Sequence, residues 1–163
     1  MSRNHPKLKV EVKQVAAGRD HSVILLSNGH VLGFGANNED QLGEKDSWTA
    51  IEIGFGESIR EIGCGSAFTV GLTSDGTLYG LGSNEDGQLG LGEDTESVKV
   101  PEKLLTSVKS FSCGYNHLAV ITYEGKVLTA GDNEYGQLGR STVGYSNKRP
   151  LFLTHFWSLA LLP

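Results

Sequence analysis

Three stretches of the chain align with one another without a gap, and this repetition constrains the fold more than any other feature. Val15 to Gly43 reads VAAGRDHSVILLSNGHVLGFGANNEDQLG, Ile62 to Gly90 reads IGCGSAFTVGLTSDGTLYGLGSNEDGQLG, and Phe111 to Gly139 reads FSCGYNHLAVITYEGKVLTAGDNEYGQLG. Each block is 29 residues long, and successive blocks start 47 and 49 residues apart (62 − 15 and 111 − 62). Four glycine columns recur in all three blocks: Gly18/Gly65/Gly114, Gly29/Gly76/Gly125, Gly35/Gly82/Gly131 and Gly43/Gly90/Gly139. So do Asn37/Asn84/Asn133, Gln41/Gln88/Gln137 and Leu42/Leu89/Leu138. The recurring columns hold 12 of the chain's 22 glycines. A period of this size marks an array of like units, each burying its apolar face against its neighbours.

Each block reads as strand, turn, strand, turn. Residues 21–26, 68–73 and 117–122 are rich in β-formers, and a glycine-bearing turn follows each of them. The next strand, as in Thr77-Leu78-Tyr79-Gly80-Leu81, is apolar throughout, which suits a strand covered on both faces. The connectors hold one more strand each (Ala50 to Ile53 and Val98 to Leu104), and another opens each block. Four short strands per repeat at this period predict an all-β fold, a β-propeller built of four-stranded blades.

The repeated columns resemble the repeat of the regulator of chromosome condensation family. That repeat opens on a small residue and Gly, supplied here by Ala17-Gly18, Cys64-Gly65 and Cys113-Gly114. It closes on Gly-x-Asn-x-x-Gly-Gln-Leu-Gly, matched without departure by Gly82 to Gly90 and Gly131 to Gly139. Block one departs at Asp40, where the others have Gly87 and Gly136; block two departs at Phe68, where the others have His21 and His117. There is no Trp-Asp blade ending and no double-glycine kelch signature.

Phase and length sharpen the expectation. Pro6 precedes block one by 9 residues, Pro101 precedes block three by 10, and Pro150 lies 49 residues after Pro101. A fourth block would therefore begin near residue 160, yet the chain reads LFLTHFWSLALLP from Leu151 to Pro163. Residues 1–150 are thus assigned to three propeller repeats and 151–163 to a divergent apolar tail. Family resemblance implies seven blades, and propellers close with about 4–8. The expected form is a partial propeller of three four-stranded blades, open rather than closed, and a truncated or alternatively terminated product of a longer protein. Sheet faces left open at both ends predict marginal stability or self-association. Phe152, Phe156 and Trp157 of the tail either cover one open face or promote aggregation.

Composition excludes several classes. Fourteen Lys and Arg stand against 19 Asp and Glu, a formal charge of −5, so no direct nucleic-acid partner is expected. Two cysteines form no disulfide framework, and Met1 to Val10 contains no signal-peptide core, which places the chain in a reducing setting, cytoplasmic or nuclear. The apolar tail of 13 residues is shorter than the roughly 20 that span a bilayer as a helix, and no membrane partner is expected.

Asp20, His21 and Ser22 are adjacent, but neighbours on a strand point to opposite faces and cannot converge on one atom. Cys64 and Cys113 share the column of Ala17 and read as small buried residues; no ligand spacing for a metal accompanies them. The glycine pairs lack the third glycine and helix of a phosphate loop, and Asn84-Glu85-Asp86-Gly87 lacks the acidic spacing of a calcium loop. No catalytic residue, cofactor or metal is assigned. Asn37, Asn84 and Asn133 are expected to cap turns, and Gln41, Gln88 and Gln137 to satisfy backbone groups there, with Leu42, Leu89 and Leu138 entering the core.

The acidic turn residues stand apart. Glu39, Asp40, Glu85, Asp86, Asp132 and Glu134 fall in matching turns, with Glu93, Asp94 and Glu96 in a connector nearby. They read as a solvated loop edge or, more sharply, as an acidic rim for a basic partner. Trp48, without apolar neighbours in sequence, is expected to pack, the alternative being an anchor for such a contact. The reading that follows is a non-enzymatic protein-interaction propeller. The family resemblance implies an alternative, guanine nucleotide exchange or regulation of a small GTPase, which needs loops rather than covalent chemistry. Chromatin binding is disfavoured by the acidic charge, and a tryptophan-based light sensor by only two distant tryptophans.

Overall fold

The computed structural model describes residues 10–43, 47–92 and 94–139. Pro6, Glu93, Pro150 and the tail with Phe152, Phe156 and Trp157 lie outside the described residues. Eleven strands are formed among those described: β1 (Val12–Ala17), β2 (His21–Leu26), β3 (Val31–Gly35), β4 (Ser47–Ile53), β5 (Ile59–Cys64), β6 (Phe68–Thr73), β7 (Leu78–Ser83), β8 (Ser97–Leu105), β9 (Val108–Cys113), β10 (His117–Thr122) and β11 (Val127–Gly131). They assemble into three antiparallel sheets in sequence order, β1-β2-β3-β4, β5-β6-β7-β8 and β9-β10-β11. The third sheet has three strands among the described residues, and the stretch in which a fourth is expected lies outside them. The architecture is that of a partial, open propeller.

Register explains how like sequences give like blades. Val23 lies opposite Gly33, Val70 opposite Gly80 and Ala119 opposite Thr129. The first strand of each sheet carries a bulge at one position: register shifts flank Lys13, Arg60 and Lys109. A bulge bends its strand and re-aims the extra side chain.

Burial separates the middle blade from its neighbours. Every residue of β6 is buried, whereas β2 and β10 alternate. Blade one buries Val23 and Leu25 against Ile59, Ile62 and Leu81 of blade two. Blade two turns its other face, with Phe68, Val70, Leu72 and Leu78, onto Leu118, Val120 and Leu128 of blade three. Blade one thus buries the face of residues 21, 23 and 25, and blade three the face of 118, 120 and 122. Each leaves its opposite face outward.

The same backbone bonds recur at both interfaces. Arg19 N donates to Ser66 O at 3.1 Å, and Ser66 N to Tyr115 O at 2.8 Å. Ile59 N donates to Gly29 O at 3.1 Å, and Val108 N to Gly76 O at 2.9 Å. The bulge cations follow suit, with Lys13 Nζ on Arg60 O at 3.1 Å and Arg60 Nη2 on Lys109 O at 2.7 Å. This Lys/Arg/Lys column precedes the aligned blocks and went unnoticed in them; extending the alignment two residues upstream shows it.

The glycine columns have two different causes. Gly35, Gly82 and Gly131 have φ of 109°, 100° and 113°, a conformation side chains rarely adopt. Gly18, Gly65 and Gly114 do not share that conformation and are required for space. A Cβ on Gly65 would stand 1.8 Å from Phe68 Cε1, and one on Gly114 would stand 1.9 Å from His117 Cε1. The ring three residues on occupies the space a Cβ would need.

Candidate partner-binding face

Strand direction places the β1–β2, β5–β6 and β9–β10 turns at one end of the sheets, together with the long loops 36–43, 83–90 and 132–139. Those loops share a built-in scaffold. Asn37, Asn84 and Asn133 accept from Leu42 N, Leu89 N and Leu138 N at 2.7, 2.9 and 2.9 Å. Gln41, Gln88 and Gln137 accept at Oε1 from Glu39 N, Asp86 N and Tyr135 N at 3.0, 2.9 and 2.9 Å. Leu42, Leu89 and Leu138 are buried beneath. Internal hydrogen bonds fix each loop, so its outward side chains project from a rigid support.

The six acidic loop residues divide into two groups. Asp40, Asp86 and Asp132 turn inward. Asp40 accepts from Ser97 Oγ of β8 at 2.8 Å and lies 3.9 Å from Lys99 Nζ. Asp86 accepts from Asn116 Nδ2 of blade three at 2.8 Å, and Asn116 in turn accepts from Ser66 Oγ. Asp132 accepts from Glu134 N at 3.0 Å and Gln137 Nε2 at 2.7 Å, capping its own loop. These three carboxylates knit blades and turns together, so the acidic rim is smaller than the sequence implied. Glu85 and Glu134, in the same repeat column, are exposed, and Glu39 is half-buried. Asp94 and Glu96 are also exposed.

Aromatic side chains share this end. Tyr115 is 61% exposed and Tyr135 is 86% exposed. Arg19 spans blades here, bonded to Asp20 at 2.7 Å and to Tyr115 Oη at 3.3 Å. Trp48 was expected to pack, and the structure corrects that: its ring is 101% exposed. Ser47 pairs with Gly35 at the loop end of blade one, so Trp48 stands on the outermost strand one residue in from the same end. An edge strand offers few neighbours, which is why the indole finds no cover. The exposed tyrosines were not singled out from the sequence, because their turns could not be placed beside the acidic loops without the topology.

The remaining candidates have structural settings. His21 is 3% exposed; its Nε2 donates to Thr69 Oγ1 at 3.1 Å, and Thr69 donates to Gln41 O at 2.8 Å. Its Nδ1 has no partner, and burial pushes the imidazole down to about 4, so it is neutral at pH 7. Asp20 points away to Arg19 and Ser22 to the other face. Cys64 and Cys113 are half-buried free thiols, and Ala17 in the same column is exposed rather than buried. Burial pushes the Cys64 thiol up to about 12 and raises that of Cys113 too, so neither is a ready nucleophile. At the opposite end a groove of about 350 Å³ is lined by Asn28, His30, Glu52, Phe55, Glu57 and Ser58, with His30 Nδ1 2.6 Å from Glu52 Oε1. Among the described residues no group of three His, Cys, Asp or Glu could hold a metal ion, and no helix is long and apolar enough to cross a membrane.

Comparison with known proteins follows the blade boundaries. The profile described as Regulator of chromosome condensation (RCC1) repeat matches residues 12–41, 59–88 and 108–137, and a second profile of that description matches 75–121. The chain belongs to this repeat family. Among solved structures, this RCC1-repeat chain is similar to human WBSCR16, with 27% identity and a TM-score of 0.73 over 86% of this chain and 38% of that one. Yeast RCC1 (Prp20), solved bound to Kap60, shares 25% identity with a TM-score of 0.68 over 77% and 31% of the two chains. Prp20p from Saccharomyces cerevisiae, studied with its binding properties to Gsp1p and histones, matches at 23% identity and a TM-score of 0.75 over 95% and 40%. The chain therefore spans two-fifths or less of the length of these relatives. No curated protein sequence matches it.

Proposed function

We propose that this RCC1-repeat chain is a non-enzymatic protein-interaction module whose loop end docks a basic surface of another protein. The observation that carries this reading is the exposed Glu85 and Glu134 in one repeat column, on rigid loops beside exposed Tyr115 and Tyr135. Acidic groups on a fixed scaffold steer a basic partner, and exposed aromatic rings supply contact area at low entropic cost. Trp48, on the blade-one edge near that end, is assigned as a flanking anchor. The buried, neutral His21 and the raised thiols of Cys64 and Cys113 fit structural roles, in line with a module that performs no covalent chemistry.

A second reading, regulation of or nucleotide exchange on a small GTPase, draws support from the likeness to yeast RCC1. Exchange of this kind works by loop contacts, and the loop end would be the contacting surface. The test is release of labelled GDP from a panel of small GTPases with and without excess chain. Binding without faster release supports the scaffold reading. Accelerated release from one GTPase, lost on Trp48→Ala or Glu85→Lys, supports the second; absence of binding to any protein probe contradicts both.

A further inference from the structure

We propose that the chain associates head to tail with a second copy of itself, the outward face of blade three seating on the outward face of blade one. The two interfaces inside the chain define what each outward face requires. At both, the face of residues equivalent to 21, 23 and 25 meets the next blade's face equivalent to 22, 24 and 26: Phe68, Val70 and Leu72 pack with Leu118 and Val120, and His21 bonds Thr69 while Val23 and Leu25 pack with Ile59, Ile62 and Leu81. Blade three presents the first kind of face outward with His117, Ala119 and Ile121; blade one presents the second with Ser22, Ile24 and Leu26. The two outward surfaces are thus the two halves of an interface the chain already makes twice.

Exposure shows what is left uncovered. Ile121 is 40% exposed, whereas its equivalents Leu25 and Leu72 are 0% exposed. Val12 and Val15 are 61% and 69% exposed, whereas Ile59 and Ile62, their equivalents in blade two, are each 3% exposed. Strand β1 of blade one carries apolar residues suited to an interface that no described blade provides. Burying such side chains is the main favourable term in association.

The polar pairing is also complementary. Where the first interface has His21 it has Thr69 opposite, and where the second has Phe68 it has Leu118 in the Thr69 column. A polar ring meets a hydroxyl and an apolar ring meets an apolar chain. The outward His117 calls for a hydroxyl, and blade one offers Ser22. The backbone relays extend the same way: Tyr115 N toward Arg19 O, Val12 N toward Gly125 O and Lys109 Nζ toward Lys13 O of the second copy. Such a contact is heterologous, and it closes if the rotation allows. Two copies supply six blades, within the 4–8 typical of closed propellers.

Sedimentation of the 163-residue chain across concentrations tests the association, with a dimer mass expected to grow in as concentration rises. Cross-linking tests the geometry. Chains carrying Ser22→Cys and chains carrying His117→Cys, each with Cys64→Ala and Cys113→Ala, are mixed with a short bis-maleimide linker, because packed sheet faces stand about 10 Å apart, beyond direct disulfide reach. The mixed cross-linked dimer is expected to exceed either homodimer by at least tenfold. Ile121→Glu is expected to abolish the dimer mass while leaving the circular dichroism spectrum unchanged. A chain that stays monomeric at all concentrations overturns the proposal. So does a Ser22→Cys homodimer that outcompetes the mixed one.

Discussion

His21 Nε2 meets Thr69 Oγ1 at 3.1 Å, a bond between residues 48 positions apart that crosses from blade one to blade two. Because Thr69 spends its own proton on Gln41 O at 2.8 Å, the imidazole is held as the Nε2–H tautomer with Nδ1 bare. This one contact ties together a repeat column, a tautomer and an inter-blade interface.

A pH dependence follows. The His21 imidazole falls from its ordinary 6.5 to about 4 in the fold, so the unfolded chain binds the proton more readily. The contribution of His21 is fully present above pH 6.5 and is lost as pH falls from 6.5 toward 4. Its full size is about 3 kcal/mol. Urea denaturation at several pH values measures it, and His21→Phe, the residue already standing in this column as Phe68, is expected to remove most of that slope.

Steric need distinguishes two glycines. Gly65→Ala drives a Cβ into the Phe68 ring, which is 0% exposed and has nowhere to move. The expected loss is about 1–3 kcal/mol, the usual cost of overpacking. Gly54, where a Cβ meets nothing within 4 Å, is expected to accept alanine with a change of about 0.5 kcal/mol or less. Thermal melts of the two variants check the contrast, and equal effects would contradict it.

Asp40 holds a left-handed backbone, φ 61°, where the other blades use Gly87 and Gly136. Asp40→Ala keeps that strain and loses the Ser97 bond. Asp40→Gly loses the bond and relieves the strain, so it is expected to be more stable than Asp40→Ala by about 1 kcal/mol. The comparison is read from the difference in denaturant midpoints.

Neighbouring carboxylates are expected to behave oppositely. Asp86→Lys breaks the bond to Asn116 across blades two and three and should destabilise by about 1 kcal/mol or more. Glu85→Lys removes an exposed carboxylate and should leave the melt within about 0.5 kcal/mol of the parent.

Much of the fold was legible because strands, turns and glycine columns are local and repeat three times. Residues 21–26, 68–73 and 117–122 coincide with β2, β6 and β10 for that reason. What sequence could not show depends on neighbours far along the chain. Asp40 and Asp86 read as rim residues until Ser97 and Asn116, 57 and 30 positions away, were seen to hold them. Gly65 read only as a recurring glycine at the repeat's opening, because no pattern reveals that the Phe68 ring folds back onto it. Trp48 read as packed because its place on an outermost strand is set by register, not by its flanking residues. Lys13 and Arg60, part of a basic column lying two residues upstream of the blocks, cross to the next blade only because bulges aim them there.

The most direct test of the acidic docking end uses charge reversal on Glu85 and Glu134, whose loop hydrogen bonds are made by the backbone rather than the carboxylate. Glu85→Lys with Glu134→Lys is compared with the parent for binding to basic protein probes, core histones and a small-GTPase panel, at low and high salt. The account predicts parent binding that weakens as salt rises and is lost by at least tenfold in the double variant, with the melting temperature unchanged. Binding that ignores both salt and charge reversal would contradict it.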